Sequence, residues 1–213
     1  MNKILVTAFD AFGGERVNPS KLAMEALKAK DVIRLTLPVI YETAANLAVE
    51  TVKEYRPAAV ISLGQAGGRN AVTPEKYAVN LRSSPSPDSA GRFCDHEIII
   101  PHAPQKLEST FGAEKISDAL SRAGIPSHVS ESAGTYVCND VMYSVLWALR
   151  NTNIPAGFIH VPYCAAQAIS HPGSFSMEES EIVRAVEIVL NDIRERLQGA
   201  AEIMVYGTAV RFK

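Results

Sequence analysis

Three side chains of the sequence could together supply a nucleophile, a base and an orienting acid. Cys138 lies in the first turn of a predicted helix, where unpaired amides and the positive end of the helix dipole stabilise a thiolate. His160 lies within an otherwise apolar strand-like run, and Glu75 follows the glycine-rich turn 64–69. These residue types indicate acyl transfer to a cysteine, with the imidazole as base and the carboxylate as the group that fixes its tautomer.

Each of these residues also has a purely structural interpretation. A lone cysteine is often a small buried apolar residue, a strand histidine is often a satisfied core group, and Glu75 could be a solvated charge beside Lys76. Position favours the chemical interpretation, because the carboxyl ends of parallel strands and their loops converge on one edge of an α/β sheet. We expect Cys138, His160 and Glu75 to meet there, with the Cys138 amide as an oxyanion donor.

Two other kinds of site use some of the same residues. Thiolates and imidazoles suit zinc, so Cys94, His96, His160 and Cys164 form an alternative ligand set, although their spacing matches no common zinc motif. The turn 64–69 could instead bind a phosphate or a nucleoside, but it is neither a dinucleotide-binding fingerprint nor a P-loop with its lysine. Both alternatives remain open from the sequence alone.

The elements that would position these residues alternate along the chain. Short apolar runs and helical patterns follow one another through most of the 213 residues, which predicts one α/β domain over residues 1–213 with a largely parallel sheet between helices. The predicted strands are 4–9, 32–39, 58–63, 127–130, 157–161 and 203–210. The predicted helices are 18–30, capped by Asn18 or Ser20, 42–55, 113–123, 136–150 and 178–197. We expect an extended arm over 72–81 and a Ser/Pro-rich flap over 83–91.

Charge and cysteine content narrow the classes of partner. The net charge is -2 and no basic stripe is present, so we do not expect nucleic acid as a partner. No apolar segment is long enough to span a bilayer and the first residues lack a secretory signal, so we expect no membrane association. Three cysteines form an odd set without CxxC spacing, which is typical of reduced thiols and predicts a cytoplasmic protein.

Six blocks of the sequence resemble, in order, those of the type I pyroglutamyl peptidase family, also called pyrrolidone-carboxylate peptidases. The blocks are residues 9–14, 18–20, 63–69, 74–75, 133–139 and 157–162. The resemblance implies a three-layer α/β/α open sandwich with a mostly parallel, twisted sheet, commonly assembled as a homotetramer, that needs no metal or cofactor. It also implies cleavage after the N-terminal pyroglutamyl residue of small peptides, through a thioester of Cys138 in a triad with His160 and Glu75.

The same resemblance implies a pocket for the pyroglutamyl ring. Its implied lining combines aromatic, polar and apolar side chains: Phe9, Phe12, Asn18, Gln65, Tyr136 and Val137. Aromatic faces can enclose a neutral ring, while one donor and one acceptor satisfy the lactam carbonyl and N–H.

The chain departs from the usual family pattern at several positions near this pocket. Tyr136 stands where the family often has phenylalanine, and Asp140 stands where it often has histidine. In the loop 83–88 the family commonly has an arginine at the position of Pro85, which Arg82 is a candidate to replace. The non-enzymatic alternative is therefore that this chain is a degenerate member of the family, which binds N-blocked peptides without cleaving them.

Overall fold

A five-stranded sheet forms the centre of the fold. The computed structural model describes residues 3–209. The strands in this range are β1 (Ile4–Phe9), β2 (Val32–Leu37), β3 (Ala59–Gln65), β4 (Thr73–Glu75), β5 (Tyr77–Val79), β6 (Lys106–Glu108), β7 (Ala156–Val161), β8 (Tyr163–Cys164) and β9 (Ser176–Met177). The central sheet has the order β2-β1-β3-β7-β4. Its neighbours run parallel except β4, which is antiparallel to β7.

Helices cover both faces of this sheet. They are α1 (Pro19–Ala26), α2 (Thr43–Tyr55), α3 (Ala113–Arg122), α4 (Val137–Leu149) and α5 (Glu179–Ala209). Alternate residues of a strand point to opposite faces. Accordingly, Ile4 and Val6 of β1 pack with α1, α3 and α5, whereas Leu5 and Phe9 pack with α2 and α4. The two apolar clusters make three layers, which confirms the predicted α/β/α class with a mostly parallel sheet.

Side-chain contacts fix both ends of α1. Asn18 Oδ1 accepts the backbone N–H of Ser20 at 3.1 Å, as the predicted cap requires. The helix ends at residue 26 rather than at 30. The guanidinium of Arg34 donates to the carbonyls of Met24 and Leu27, which otherwise remain unpaired in the last turn of a helix.

Two predicted strands are wrong. Residues 127–130 form no strand and make only isolated bridges to β4 and the residue before it. One of these bridges joins Glu75 and Ser130. Residues 203–209 continue α5, which ends at Ala209, and residue 210 lies outside the described residues. Apart from the longer α5 and the shorter α1, the remaining predicted helices and strands begin and end within about two residues of the observed ones.

Two small sheets flank the central one. Strand β5 pairs with β6 in antiparallel fashion, and β8 pairs with β9 in parallel. The predicted arm 72–81 is thus two short strands, of which β4 joins the central sheet. Between residues 3 and 209, no helix combines the length and apolar character needed to cross a membrane.

Candidate active site

Glu75 and His160 form a buried, hydrogen-bonded pair at the edge of the central sheet. Glu75 ends β4, and His160 is the penultimate residue of β7. Nδ1 of His160 lies 2.7 Å from Oε1 of Glu75. Sequence analysis placed Glu75 on an arm beside the sheet, whereas the antiparallel pairing of β4 with β7 brings it into the sheet. The other ring nitrogen, Nε2, is left for a different partner.

Cys138 reaches the same face of the sheet from the start of α4, where it is the second helical residue. A Cβ placed on Gly64 would lie 3.1 Å from Cys138 Sγ, and Gly64 pairs in register with His160. Residues paired in this way share a face of the sheet. The missing side chain of Gly64 therefore leaves room for the thiol next to the imidazole.

The start of α4 leaves its first amides without a capping side chain. Tyr136 precedes the helix in an extended conformation and makes no side-chain cap. The chain reaches Tyr136 through Gly134, whose φ of 78° is one that glycine adopts readily. The backbone N–H of Cys138 is thus a donor that an oxyanion could use.

The environment keeps the thiol and imidazole neutral at rest. Burial raises the pKa of Cys138 to about 12, and the charge of Glu75 adds to this increase. Burial also lowers the pKa of His160, and Glu75 offsets part of that decrease. Although burial acts to raise it, the pKa of Glu75 lies below its ordinary value because of its hydrogen bond with His160 and the charges of His160 and Arg69. Desolvation thus opposes the thiolate that the start of the helix favours.

A fourth charged residue, Arg69, contacts this group. Its Nη1 lies 2.5 Å from Glu75 Oε1 and also donates to the hydroxyl of Thr73, while Nη2 donates to the Ser132 carbonyl at 3.2 Å. Arg69 closes the glycine-rich turn 64–69, and the sequence alone predicted no role for it. The positive charge at the end of that turn could have indicated a role for Arg69. Its partner, Glu75, comes within reach because β4 runs antiparallel to β7.

Aromatic contacts connect the predicted ring pocket to His160. The ring centroid of the buried Phe9 lies 6.3 Å from that of Phe158, which in turn lies 4.8 Å from the His160 ring. Phe12 and Tyr136 are partly exposed, and their centroids are 6.4 Å apart. The aromatic residues thus form an inner pair beside the imidazole and an outer pair near solvent.

A cavity of about 460 Å³ opens at the outer pair. It lies between the first loop and the Ser/Pro-rich loop and is lined by Phe12, Gly13, Ser84, Ser86, Pro87, Asp88, Ser89 and Tyr136. The Tyr136 hydroxyl donates to the Pro87 carbonyl at 2.9 Å, which fastens the Ser/Pro-rich loop to the start of α4. Of the predicted pocket residues, Phe12 and Tyr136 line this cavity, whereas Phe9 and Val137 are buried in the apolar core.

Asn18 and Gln65, the polar residues predicted to contact the ring, already form hydrogen bonds within the protein. Asn18 is buried, and its Nδ2 donates to the Asp10 carbonyl at 3.1 Å while its Oδ1 caps α1. One N–H of the Asn18 amide is left over. Gln65 ends β3, and its Oε1 accepts from Gln167 Nε2 at 3.1 Å.

Asp140, one of the departures from the family pattern, contacts Arg82. Arg82 donates from Nε to Oδ1 of Asp140 at 2.9 Å, and both side chains are buried. Asp140 also accepts the backbone N–H of Glu42 through Oδ2 at 2.8 Å. Arg82 lines a separate cavity of about 770 Å³ between α2 and α4.

The alternative sites are not assembled. Within residues 3–209, no group of three or more histidine, cysteine and acidic side chains is arranged to hold a metal ion, so the set built on Cys94 and Cys164 does not form. The turn 64–69 leads into β4 rather than into a helix. It therefore lacks the helix N-terminus that phosphate-binding turns use.

A family model and curated relatives match nearly the whole chain. The model described as pyroglutamyl peptidase matches residues 2–196. Pyrrolidone-carboxylate peptidase 1 of Caldanaerobacter subterraneus subsp. tengcongensis is 40% identical over 197 residues, covering 90% of this chain and 97% of the relative. Pyrrolidone-carboxylate peptidase of Erwinia tasmaniensis is 38% identical, with coverages of 90% and 92%.

Solved structures with these names share the fold. Pyroglutamyl peptidase I from Bacillus amyloliquefaciens superposes with a TM-score of 0.86 at 32% identity, covering 91% of this chain and 95% of that structure. A mutant pyrrolidone carboxyl peptidase from Pyrococcus furiosus gives a TM-score of 0.85 at 35% identity, with coverages of 92% and 99%.

Proposed function

Because the chain belongs to the pyroglutamyl peptidase family, we propose that it hydrolyses the amide bond after an N-terminal L-pyroglutamyl residue of small peptides. In this proposal Cys138 is the nucleophile, His160 its base and Glu75 the carboxylate that orients the imidazole. The main support is the 2.7 Å hydrogen bond between His160 and Glu75, made beside the glycine that leaves space for the Cys138 thiol.

Acylation couples proton transfer from the thiol to its attack on the substrate. Since both the thiol and the imidazole are neutral at rest, Cys138 Sγ attacks the pyroglutamyl carbonyl carbon as His160 Nε2 accepts its proton. The Cys138 amide donates to the oxygen of the tetrahedral intermediate. The imidazolium then protonates the departing amine, the carbon–nitrogen bond breaks, and the pyroglutamyl group remains as a thioester.

Deacylation returns the same groups to their starting states. His160 removes a proton from a water molecule, which attacks the thioester carbonyl. The carbon–sulfur bond breaks, the Cys138 thiolate regains its proton from the imidazolium, and pyroglutamate leaves. In both halves Glu75 holds Nδ1 and stabilises the imidazolium that forms.

The charge of the cavity supports a blocked N-terminus as substrate. Asp88 is the acidic residue among the described cavity-lining side chains, and backbone N–H groups already occupy both of its carboxylate oxygens. Ala90 and Arg92 donate to Oδ1 and Tyr41 donates to Oδ2. These contacts commit the Asp88 carboxylate to the loop backbone, and a neutral lactam, unlike an α-ammonium, needs no carboxylate partner when it is buried.

The proposal extends to the domain organisation, the cellular location and the assembly of the protein. We treat residues 1–213 as one domain, since both apolar clusters pack on one sheet. The three cysteines are free thiols, which supports a reducing, cytoplasmic setting for a thiol enzyme. Assembly as a homotetramer follows from the family resemblance.

Turnover of matched aminomethylcoumarin amides tests the substrate proposal. We expect kcat/KM for the pyroglutamyl amide to exceed that for the prolyl and glutaminyl amides by roughly four to five orders of magnitude, because a site that hydrogen-bonds a substrate group rejects analogues lacking it. Prolyl amide has a similar ring without the lactam carbonyl and is the matched control.

Comparable cleavage of the prolyl and pyroglutamyl amides would show that the pocket is assigned wrongly. Binding of the pyroglutamyl amide without turnover would instead favour the non-cleaving binder.

A further inference from the structure

Arg69 lies where the glycine-rich turn, β4 and the segment before α4 meet. Its side chain is about three-quarters buried, with 26% exposed. One arm of the guanidinium contacts Glu75 and Thr73, and the other contacts the carbonyl of Ser132, six residues before Cys138. A single planar group therefore connects the orienting carboxylate to the segment that carries the nucleophile.

The Glu75 carboxylate is held through one oxygen. Oε1 receives both His160 Nδ1 and Arg69 Nη1, whereas Oε2 is buried and has no hydrogen-bond partner among residues 3–209. The hydroxyl of Ser130 donates to the Ser132 carbonyl at 3.1 Å and also lies near enough to Glu75 to help lower the pKa of its carboxyl. His160 and Arg69 therefore share one oxygen of Glu75, and the two contacts together set the orientation of the carboxylate.

We propose that Arg69 is a positioning residue of the catalytic site, which fixes the rotation of Glu75 toward His160 and joins it to the segment leading to Cys138. The inference depends on the proposed function, because it assigns Arg69 a part in the same reaction. Arg69 does not border the cavity at Phe12 and Tyr136, so its effect should fall on the chemical step rather than on substrate binding.

The charge of Arg69 gives this role a signature in pH. The charged or titratable groups that face one another here are Arg69 on the turn, Glu75 on β4, His160 on β7 and Cys138 on α4. After burial and the influence of Glu75, the charge of Arg69 lowers the pKa of both His160 and Cys138. Removing a fixed positive charge makes both deprotonations harder, so both pKa values should rise.

Substitution by methionine and by lysine separates this role from a structural one. For Arg69→Met we expect kcat to fall about tenfold to a hundredfold, with KM within about twofold. This is the range typical of residues that orient another functional side chain through a hydrogen bond. The acid limb of kcat/KM should move to higher pH by about half a unit or more. Arg69→Lys keeps the charge but not the forked contact, so its acid limb should stay in place and its kcat should be intermediate.

Alkylation by iodoacetamide provides a readout without substrate. The rate at Cys138, assigned by mass spectrometry of its peptide, should fall at least about threefold at pH 8 in Arg69→Met, because less thiolate forms. Arg184→Met, which removes a cation on α5 far along the chain from these residues, is the control and should match the wild type. If the wild type failed to cleave pyroglutamyl amides, the proposed function would fail while the alkylation result would still judge Arg69.

A folded Arg69→Met protein with kcat within about twofold of the wild type would overturn the proposal. So would a loss of kcat with an unmoved acid limb and an unchanged alkylation rate, since that pattern indicates structural damage alone. If Arg69→Met does not fold, Arg69→Lys decides: an intermediate kcat at an unshifted acid limb supports positioning, and wild-type kcat contradicts it.

Discussion

At the scale of single residues, the site depends on a neutral thiol and imidazole beside one ionised carboxylate. Burial raises the pKa of Cys138 and lowers that of His160, so in the proposed mechanism proton transfer accompanies the attack of the thiol. Glu75 remains ionised because His160 and Arg69 together outweigh its burial. The active protonation state should therefore persist across a broad range around neutral pH.

The pH dependence of Glu75→Gln follows from this arrangement. In the proposed mechanism neutral His160 accepts the thiol proton. The pKa of His160 lies below the ordinary 6.5, so kcat/KM of the wild type should fall only below about pH 6.5. Glu75 raises the pKa of His160. Its replacement by glutamine should lower that pKa further and move the acid limb to lower pH, with kcat reduced less than in His160→Ala.

Profiles of kcat/KM between about pH 4.5 and 9 on a pyroglutamyl amide measure this shift. Glu114→Gln removes an exposed carboxylate that pairs with Lys76 and should leave the profile unchanged. A limb that moves to higher pH in Glu75→Gln would contradict the assigned electrostatics.

The sequence was sufficient to nominate Glu75, Cys138 and His160, because residue type and the convergence of strand ends restrict such groups. It was not sufficient for Arg69. Its contact with Glu75 requires β4 to run antiparallel to β7, and the direction in which a strand pairs is not encoded in its own apolar pattern.

At the scale of elements, β3 and α4 approach closely at Gly64, which leaves space for the thiol of Cys138, the proposed nucleophile. Gly64 has no side chain at the point where β3 passes beneath Cys138 and Phe158. A Cβ there would lie 2.7 Å from Phe158 Cζ and 3.1 Å from Cys138 Sγ. Phe158 is fully buried, so it has little room to move away.

Gly64→Ala should therefore destabilise the protein and disturb catalysis together. We expect a loss of about 1–3 kcal/mol in the free energy of unfolding, as for other overpacked cores, and a fall of at least about tenfold in kcat. Urea unfolding and turnover of a pyroglutamyl amide measure the two effects. Gly199→Ala is the matched control, since its Cβ on α5 would meet nothing within 4 Å and alanine favours a helix. Unchanged kcat in Gly64→Ala would show that the space at this position does not serve the thiol.

Long elements with strong patterns were predictable, and the exceptions have physical causes. β1 and α4 follow from apolar burial and helical spacing, whereas the end of α1 depends on Arg34, eight residues after the helix. The residues 203–210 contain β-favouring side chains, yet 203–209 continue the helix that precedes them. Local propensity is overridden where an existing helix can be extended at low cost.

At the scale of the whole molecule, an ion pair links α5 to the residue before β2, at the sheet edge opposite β4. Arg194 donates from Nε and Nη2 to the two oxygens of Asp31, at 2.8 and 2.6 Å, just before β2. The hydrogen bond from Arg194 is the main reason that the pKa of Asp31 is lowered. A lowered folded-state pKa contributes stability above the unfolded-state value of 3.8, and this contribution is lost as pH falls through the folded-state pKa.

Asp31→Asn should lower the free energy of unfolding by about 1–2 kcal/mol at pH 7, and its difference from the wild type should shrink below about pH 4. Urea unfolding at both pH values measures this. Glu114→Gln breaks a more exposed pair with Lys76 and should change stability little. A difference that grows toward low pH would contradict the sign of the Asp31 contribution.

The most direct test of the whole account is kcat/KM for a pyroglutamyl amide in three cysteine variants. Cys138→Ser should lose at least about a thousandfold, as expected when a nucleophile is removed. Cys94→Ser and Cys164→Ser should retain most of the activity, because these buried thiols lie outside the contact between α4 and β3. Near-normal turnover by a folded Cys138→Ser protein would contradict the central claim that Cys138 carries the acyl group.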